Sequence, residues 1–248
     1  MKKYLLTAAV ALLTATSLCA QTEAKSAWTL NTRAWCTNYF TTAIYGLVTE
    51  GVKHFAFDDA NEQDSLWAER IIPQAALVFP VGMGKSGFGE HDIYGPYHFA
   101  FGNPFKHIGD YAIGLDASYK PCAIGFYAGA YFKSQEVVSK DTKDNIRGFY
   151  IQPRAGLLLG SNKRAFEAGV FYDILTGCGG SVADTNKDRL KGGLGLDFGF
   201  STTDDDGNGK FILQFSMPLH NFFNTDYADQ SDLKRKVGYI MLTRRVCL

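Results

Sequence analysis

Two short stretches of the sequence contain residue types that bind phosphate or metal in other proteins. The first, Gly82–Ser86 (GMGKS), matches the second half of a phosphate-binding loop, in which backbone N–H groups and a lysine contact the phosphates. The first glycine of that motif would fall at position 79, which is Phe79. The stretch is therefore predicted to be a glycine-rich turn, and no nucleotide cofactor is expected.

The second stretch matches the opening of a calcium-binding loop at Asp204, Asp206, Asn208 and Gly209. The twelfth position of such a loop supplies a bidentate glutamate, and here it is Phe215. The same residues suit a hairpin turn, because Asp, Asn and Gly accept positive φ values. We expect a structural turn and no metal site, with weak calcium or magnesium binding as the alternative.

Histidine and aspartate residues could form a general acid–base pair. His91, His98, His107 and His220 fall in or beside predicted loops, and Asp173 lies near the end of a predicted strand. These residues could converge, but no spacing motif relates them, and a histidine in a wet loop is more often simply polar. We therefore predict no catalytic residue and keep an enzyme as the alternative.

The elements that must position these residues are strands. Gly109–Leu219 contains six segments in which apolar residues alternate with polar or small ones, and this period of two predicts β-strands. In the first, Tyr111, Ile113 and Leu115 share one face, while Asp116 and Ser118 share the other. The other segments begin near Ile124, Phe149, Phe166, Leu194 and Phe211.

The connections between these segments, together with the one that follows the last segment, alternate between short and long. Three are tight and turn-like, and three are long and polar. The short ones are Tyr119–Ala123, Ser161–Arg164 and Thr203–Lys210, and the long ones are Ser134–Arg147, Leu175–Arg189 and His220–Lys236. Transmembrane β-barrels separate short turns from long loops in this way, whereas a soluble β-sandwich has no reason to. An all-β, antiparallel transmembrane barrel is predicted, with a soluble exported β-sandwich as an alternative.

The N-terminus reads as an export signal. Lys2 and Lys3 precede the apolar run Tyr4–Leu18, and Ala20 ends a small-residue cleavage site. We predict a signal peptide at residues 1–20 and one barrel domain at residues 21–248. Without residues 1–20, basic residues fall from 25 to 23 against 25 acidic ones, a net charge of about −2. That balance argues against a nucleic-acid partner.

Four cysteines remain after the signal peptide: Cys36, Cys122, Cys178 and Cys247. Cys122 and Cys247 fall at the short-turn end of the predicted barrel, and Cys178 falls in a long loop at the other end. Disulfide geometry needs Cα atoms within about 7 Å, and the apolar band alone is about 25 Å tall. Cys178 should therefore pair with neither Cys122 nor Cys247. The favoured interpretation is that the four cysteines are small apolar side chains with free thiols.

The strand count follows from the requirement that single-chain bacterial barrels have an even number. Arg70–Val81, the six central segments and Val237–Leu248 give eight strands. A further pair from Trp28–Phe57 gives ten, which is our prediction, with eight and twelve left open.

Together these features resemble the small, porin-like outer-membrane β-barrel proteins of Gram-negative bacteria that have no peptidoglycan-binding tail. The resemblance implies a location in the outer membrane, lipid as a partner, and recognition of the C-terminal strand by the barrel-assembly machinery. Two features depart from the family pattern: Leu248 stands where an aromatic residue is usual, and Arg244 falls in the lipid-facing phase.

If the apolar phase faces lipid, a polar set faces the lumen. That set comprises Asp116, Arg154, Glu167, Asp173, Asp197 and Gln214. The turn at Ser161–Lys163 would place Arg154 diagonal to Glu167, so a contact between them is predicted. A narrow, weakly selective pore is expected, gated by inward folding of the aromatic segment Gly82–Ile108. A structural or surface-interaction barrel with a plugged lumen is an interpretation of equal standing with the pore. A barrel enzyme acting on lipid or peptide remains the alternative to both.

Overall fold

A computed structural model describes residues 28–37, 44, 48, 71–83, 110–138, 145–161, 164–181, 188, 190–203, 210–224 and 236–245 of the 248-residue chain. These residues form nine strands, and the nine close into a barrel in the order β1-β2-β9-β8-β7-β6-β5-β4-β3. The strands are β1 Trp28–Cys36, β2 Ile71–Met83, β3 Tyr111–Tyr119, β4 Ile124–Val138, β5 Asn145–Gly160, β6 Arg164–Gly180, β7 Gly193–Thr203, β8 Lys210–Pro218 and β9 Lys236–Arg245. The predicted all-β barrel architecture is confirmed.

Eight of the nine neighbouring strand pairs are antiparallel, and one is parallel. The parallel pair is β1–β2, in which Leu30 lies opposite Ile71 and Cys36 opposite Leu77. The prediction of ten strands is not confirmed, because a parallel joint lets an odd number of strands close. Ile44 and Val48, within the stretch predicted to supply the extra strand, are helical.

The two ends of the barrel differ. At one end, here called the turn end, short connections join β3 to β4, β5 to β6 and β7 to β8. At the opposite loop end, β4, β5 and β6 are 15, 16 and 17 residues long and extend beyond β3 and β8, which have nine residues each. Val138 pairs with Asn145, so most of the long loop predicted at Ser134–Arg147 is strand. Cross-strand pairing extended these strands through polar residues that the sequence pattern assigned to a loop.

The outward face is apolar and exposed, and the inward face is largely polar and buried. Large apolar side chains on eight strands, β1 and β3 to β9, are 37–51% exposed. They include Trp28, Leu30, Ile113, Leu115, Phe126, Ile151, Leu157, Val170, Phe198, Phe200, Leu213, Phe215 and Leu242. Part of the interior is apolar as well, where Trp35, Ala76, Val78, Ala112, Tyr239 and Met241 form one buried cluster. The fold therefore positions two layers of buried polar side chains inside the ring.

Candidate functional site in the barrel interior

All six residues of the predicted lumen-facing set are buried. Asp116, Arg154, Glu167, Asp173, Asp197 and Gln214 are between 0% and 6% exposed. They divide into two groups along the barrel. The turn-end cluster consists of Asn31, Arg33, Asp116, Tyr127, Tyr131, Arg154, Glu167, Asp197 and Gln214, and the loop-end cluster consists of Lys133, Tyr150, Gln152, Phe171, Asp173 and Tyr239.

Arg154 is the central cation of the turn-end cluster. Its Nη2 lies 2.9 Å from Asp197 Oδ2, and both side chains are almost fully buried. The guanidinium also lies 5.4 Å from the ring centroid of Tyr127 and 4.8 Å from that of Tyr131, within cation–π range. Breaking such a buried pair leaves a charge without compensation, so removal of either partner should strongly destabilise the fold.

Hydrogen bonds join further strands to the turn-end cluster. Asp116 accepts a hydrogen bond of 2.7 Å from Asn31 Nδ2 and one of 2.6 Å from the Tyr131 hydroxyl. Arg33 Nη1 donates to Gln214 Oε1 at 2.5 Å. Because Arg33 lies on β1 and Gln214 on β8, this bond crosses the interior of the ring. The cluster thus ties strands from opposite sides of the barrel.

The prediction of an Arg154–Glu167 contact was wrong, because it assumed a different register between β5 and β6. Arg154 lies opposite Phe171 and Glu167 lies opposite Leu158, so the two are four residues apart along the ladder. Within the described part of the chain, Arg154 pairs with Asp197 instead. Arg154 and Glu167 do line one cavity of about 20 Å³. A volume of ~10–15 Å³ holds one water, so the cavity has room for about one molecule of that size.

Glycines on neighbouring strands make room for the inward rings. The Tyr127 ring lies over Gly156 and Gly169, where a Cβ on Gly169 would contact the Tyr127 hydroxyl and approach Ala155 O to 2.7 Å. Phe171 lies over Gly195 in the same way. The space that inward glycines leave is therefore filled by aromatic side chains from strands one or two places away in the ring.

Lys133 is the central cation of the loop-end cluster. Its Nζ lies 2.8 Å from Asp173 Oδ2, and Asp173 Oδ1 accepts a hydrogen bond of 2.8 Å from Gln152 Nε2. The ammonium also lies 5.6–5.7 Å from the ring centroids of Tyr150, Phe171 and Tyr239. Three aromatic faces and a carboxylate together compensate a cation that is 2% exposed.

A chain of hydrogen bonds continues from this cluster to the strand ends. The Tyr239 hydroxyl donates to Asp110 Oδ2 at 2.8 Å and accepts from Gln135 Nε2 at 2.5 Å. Glu136 donates its backbone N–H to Asp110 Oδ1 at 2.6 Å and forms an ion pair with Arg147 at 2.5 Å. Sequence reasoning did not name these residues as a site.

Lys133 could have been found, because the alternation of β4 places it in the same phase as Tyr127 and Tyr131. Asp110 gives no comparable signal, because it precedes β3. Arg33 lies in Trp28–Phe57, for which only a further pair of strands was predicted.

His220 is the predicted histidine that the structure brings to Asp173. Its Nε2 lies 3.5 Å from Asp173 Oδ2, and its Nδ1 lies 3.3 Å from the carbonyl oxygen of Leu194. Burial holds the pKa of His220 below its usual value, and the charges of Lys133 and Lys191 act in the same direction, against Asp173 and the Leu194 carbonyl. His91, His98 and His107 lie outside the described residues.

Apolar residues cover this end of the interior. Ile146 and Tyr150 of β5 pack with Leu190, Phe222 and Phe223, which come from the connections after β6 and β8. We call these five residues the loop-end cap. Leu190 and Phe223 form an isolated β-bridge, and Lys191 N–H donates to Phe222 O at 3.0 Å. Leu175 and Cys178 of β6 pack against the cap.

The cysteines follow the prediction in part. Cys122 is disulfide-bonded, and its partner lies outside the described residues. Cys36 and Cys178 carry thiols, so Cys178 is not bonded to Cys122, as predicted. The favoured interpretation of small apolar thiols is wrong for Cys122, because the topological argument excluded only pairs that cross the barrel and left pairing at the turn end open.

No group of three metal-ligating side chains occurs among the described residues. The candidate calcium turn at Asp204, Asp206 and Asn208 and most of the Gly82–Ser86 stretch lie outside them. No helix in the described ranges is long and apolar enough to cross a membrane. Comparison with protein-family models, curated proteins and solved structures gave no significant match to this chain.

Proposed function

We propose that this chain is an outer-membrane β-barrel protein whose outward face contacts lipid. The observation that carries the proposal is the inverted burial: charged side chains such as Asp173 and Lys133 are 0–2% exposed, while Ile113 and Leu115 are each 51% exposed. Soluble monomers rarely expose apolar patches larger than a few hundred Å². Here the exposed apolar residues occur on eight strands of the ring, which suits a hydrocarbon environment.

Aromatic pairs near the two ends of the strands support the same proposal. At the turn end, the ring centroids of Trp28 and Tyr119 lie 4.6 Å apart. Near the loop end, Phe132 stacks on Phe149 with 6.1 Å between the ring centroids. Tyr111 and Tyr119 bound β3. At ~3.4 Å per residue and a tilt of ~40°, they lie about 21 Å apart along the barrel axis. That height suits an apolar band of ~25 Å between aromatic girdles.

The filled interior favours a structural or surface-interaction barrel over a porin-like channel. Barrels of about eight strands have interiors just filled by side chains, and nine strands add little. Here Arg154, Lys133 and the rings around them occupy the described interior, and the cavity beside Arg154 and Glu167 has room for about one water. Any pore through this interior would therefore be narrow, and its ion conduction would be weakly selective.

A barrel enzyme is the less favoured function, although Asp173 and His220 approach each other. Both oxygens of Asp173 already accept strong donors, and the pair lies beneath the loop-end cap. We therefore propose no catalytic role and no cofactor. Export through residues 1–20, and assembly guided by the final strand, which is β9 here, complete the proposal.

Membrane fractionation tests the location directly. The expressed protein should stay in the membrane pellet after sodium carbonate extraction, and it should migrate differently on a gel with and without boiling. A carbonate-soluble protein without a heat-dependent shift would refute the membrane proposal. Planar-bilayer recording of the refolded protein should show no current steps of open-porin size, and such steps would refute the filled barrel.

One pair of arginine variants tests which solvent the outward face contacts. Val170 is 47% exposed on β6, whereas Ala123 lies in the exposed turn between β3 and β4. In lipid vesicles, Val170→Arg should lower the free energy of unfolding by about 2–4 kcal/mol and Ala123→Arg by about 0–1 kcal/mol, because arginine at mid-bilayer is costly. Equal, near-zero changes for both variants would mean that water covers the outward face.

A further inference from the structure

We propose that the loop-end cap is an acid-released lid: protonation of His220 detaches residues 219–224 from β6 and β7 and uncovers the loop-end cluster. This goes beyond the proposed function and does not depend on the membrane location, because every contact that carries it lies inside the barrel mouth.

His220 anchors the segment that carries Phe222 and Phe223. Its side chain is 8% exposed, and its Nδ1 lies within 3.3 Å of Leu194 O. A neutral imidazole with its proton on Nδ1 donates to that carbonyl. The backbone adds a second link, since Leu219 N–H donates to Leu194 O at 2.8 Å. Gly193 leaves room for the ring, because a Cβ there would approach His220 Cβ to 2.8 Å and Cγ to 3.0 Å.

The charged form of His220 is less stable than the neutral form in this environment. Among the described residues, three charged groups face it: Asp173 from β6, Lys133 from β4, and Lys191 from the connection before β7. The nearest oxygen, Asp173 Oδ2, already binds the Lys133 ammonium at 2.8 Å, and Oδ1 accepts from Gln152 at 2.8 Å. An imidazolium would share Oδ2 with a second cation while remaining largely out of water, which is unfavourable.

The direction of the pH effect follows from this geometry. In the closed cap the pKa of His220 is lowered by burial, and Lys133 and Lys191 add to that shift. Once residues 219–224 leave, the imidazole reaches water and titrates near its ordinary pKa of about 6.5. A group with a lowered pKa in the closed state favours closure above the open-state pKa. The cap should therefore be fully stabilised above about pH 6.5 and lose stability as the pH falls below it.

Cys178 provides a native reporter of the cap. It packs against the cap residues, and its side chain is half-buried, whereas Cys36 is a buried thiol at the loop end of β1. Loss of Phe222 and Phe223 from the cluster would expose Cys178 and leave Cys36 covered. The two thiols can be distinguished by peptide mass spectrometry, so Cys36 serves as the internal control.

The experiment measures thiol labelling of the full chain, refolded in detergent or lipid, between pH 7.5 and pH 5. Dividing the labelling rate in the folded protein by that in the denatured protein at each pH cancels the ionisation of the thiol itself. We expect the protection of Cys178 to fall about tenfold with acidification and that of Cys36 to stay constant. Unchanged protection of Cys178 across this range would overturn the proposal.

Variants assign the response to His220. His220→Asn keeps a polar side chain that cannot gain a proton, so it should hold Cys178 protected at both pH values. Gly193→Ala should displace the His220 ring and lower Cys178 protection even at pH 7.5. An undiminished acid response in His220→Asn, in protein whose circular dichroism spectrum matches that of the folded wild type, would overturn the proposal.

Discussion

The two buried charged clusters are similar in composition but differ in how they are closed. The turn-end cluster is built from strand residues alone. Its Arg154–Asp197 pair is buried inside the closed ring of paired strands. The loop-end cluster is covered by Phe222, Phe223 and His220, which belong to a connection. Because strands are fixed by many backbone hydrogen bonds and a connection by few, the first cluster is permanent and the second can open.

The largest expected effect comes from removing one carboxylate at the turn end. Asp197→Asn removes the carboxylate that pairs with the buried Arg154, so the free energy of unfolding should fall by about 3–5 kcal/mol. The matched change, Asp173→Asn, should cost less, because opening of the cap lets water reach Lys133 and three rings still face its ammonium. Urea titration in lipid vesicles measures both. Equal losses would remove the distinction between the clusters.

A pair of glycine variants on β6 contrasts the packed interior with the outward face, because Gly179 adjoins Phe149, which stacks on the outward Phe132. A Cβ on Gly169 would meet the Tyr127 hydroxyl and lie 2.7 Å from Ala155 O, whereas a Cβ on Gly179 would lie an ordinary 3.6 Å from Phe149. Gly169→Ala should lower the free energy of unfolding by about 1–3 kcal/mol through overpacking. Gly179→Ala should change it by less than about 0.5 kcal/mol. The same urea titration checks this, and a larger loss at Gly179 would contradict the comparison.

The smallest expected effect concerns Lys191, which faces His220 from the edge of the cap. Its charge lowers the pKa of His220 in the closed state. Lys191→Gln should narrow the gap between the closed and open pKa values, so the acid-induced loss of Cys178 protection should shrink by about twofold, as suits an exposed charge. The labelling assay measures it, and a larger loss than in the wild type would show that Lys191 acts in the opposite direction.

Local alternation was enough to predict the strands from β3 to β8 and their inward residues. Asp116 and Arg154 fall in the buried phase because side chains alternate strictly between the faces of a strand. Their partners were not predictable in the same way, because the β5–β6 register places Glu167 four residues from Arg154 along the ladder, and Asp197 comes from β7, the strand beyond β6. Cross-barrel contacts such as Arg33–Gln214 depend on the closure of the ring, which no local pattern encodes.

The parallel pairing of β1 with β2 also bears on the order in which the ring assembles and comes apart. From β3 to β9 every joint links consecutive strands, so these seven strands can form a sheet by local zipping. Closure then requires three further joints, β1–β2, β1–β3 and β2–β9, the last two of which pair Leu30 with Ala117 and Leu77 with Leu242. Long loops must be closed before such contacts form, so these joints should form last. Parallel ladders are also slightly weaker per residue, so mechanical or thermal opening should begin at the β1–β2 seam.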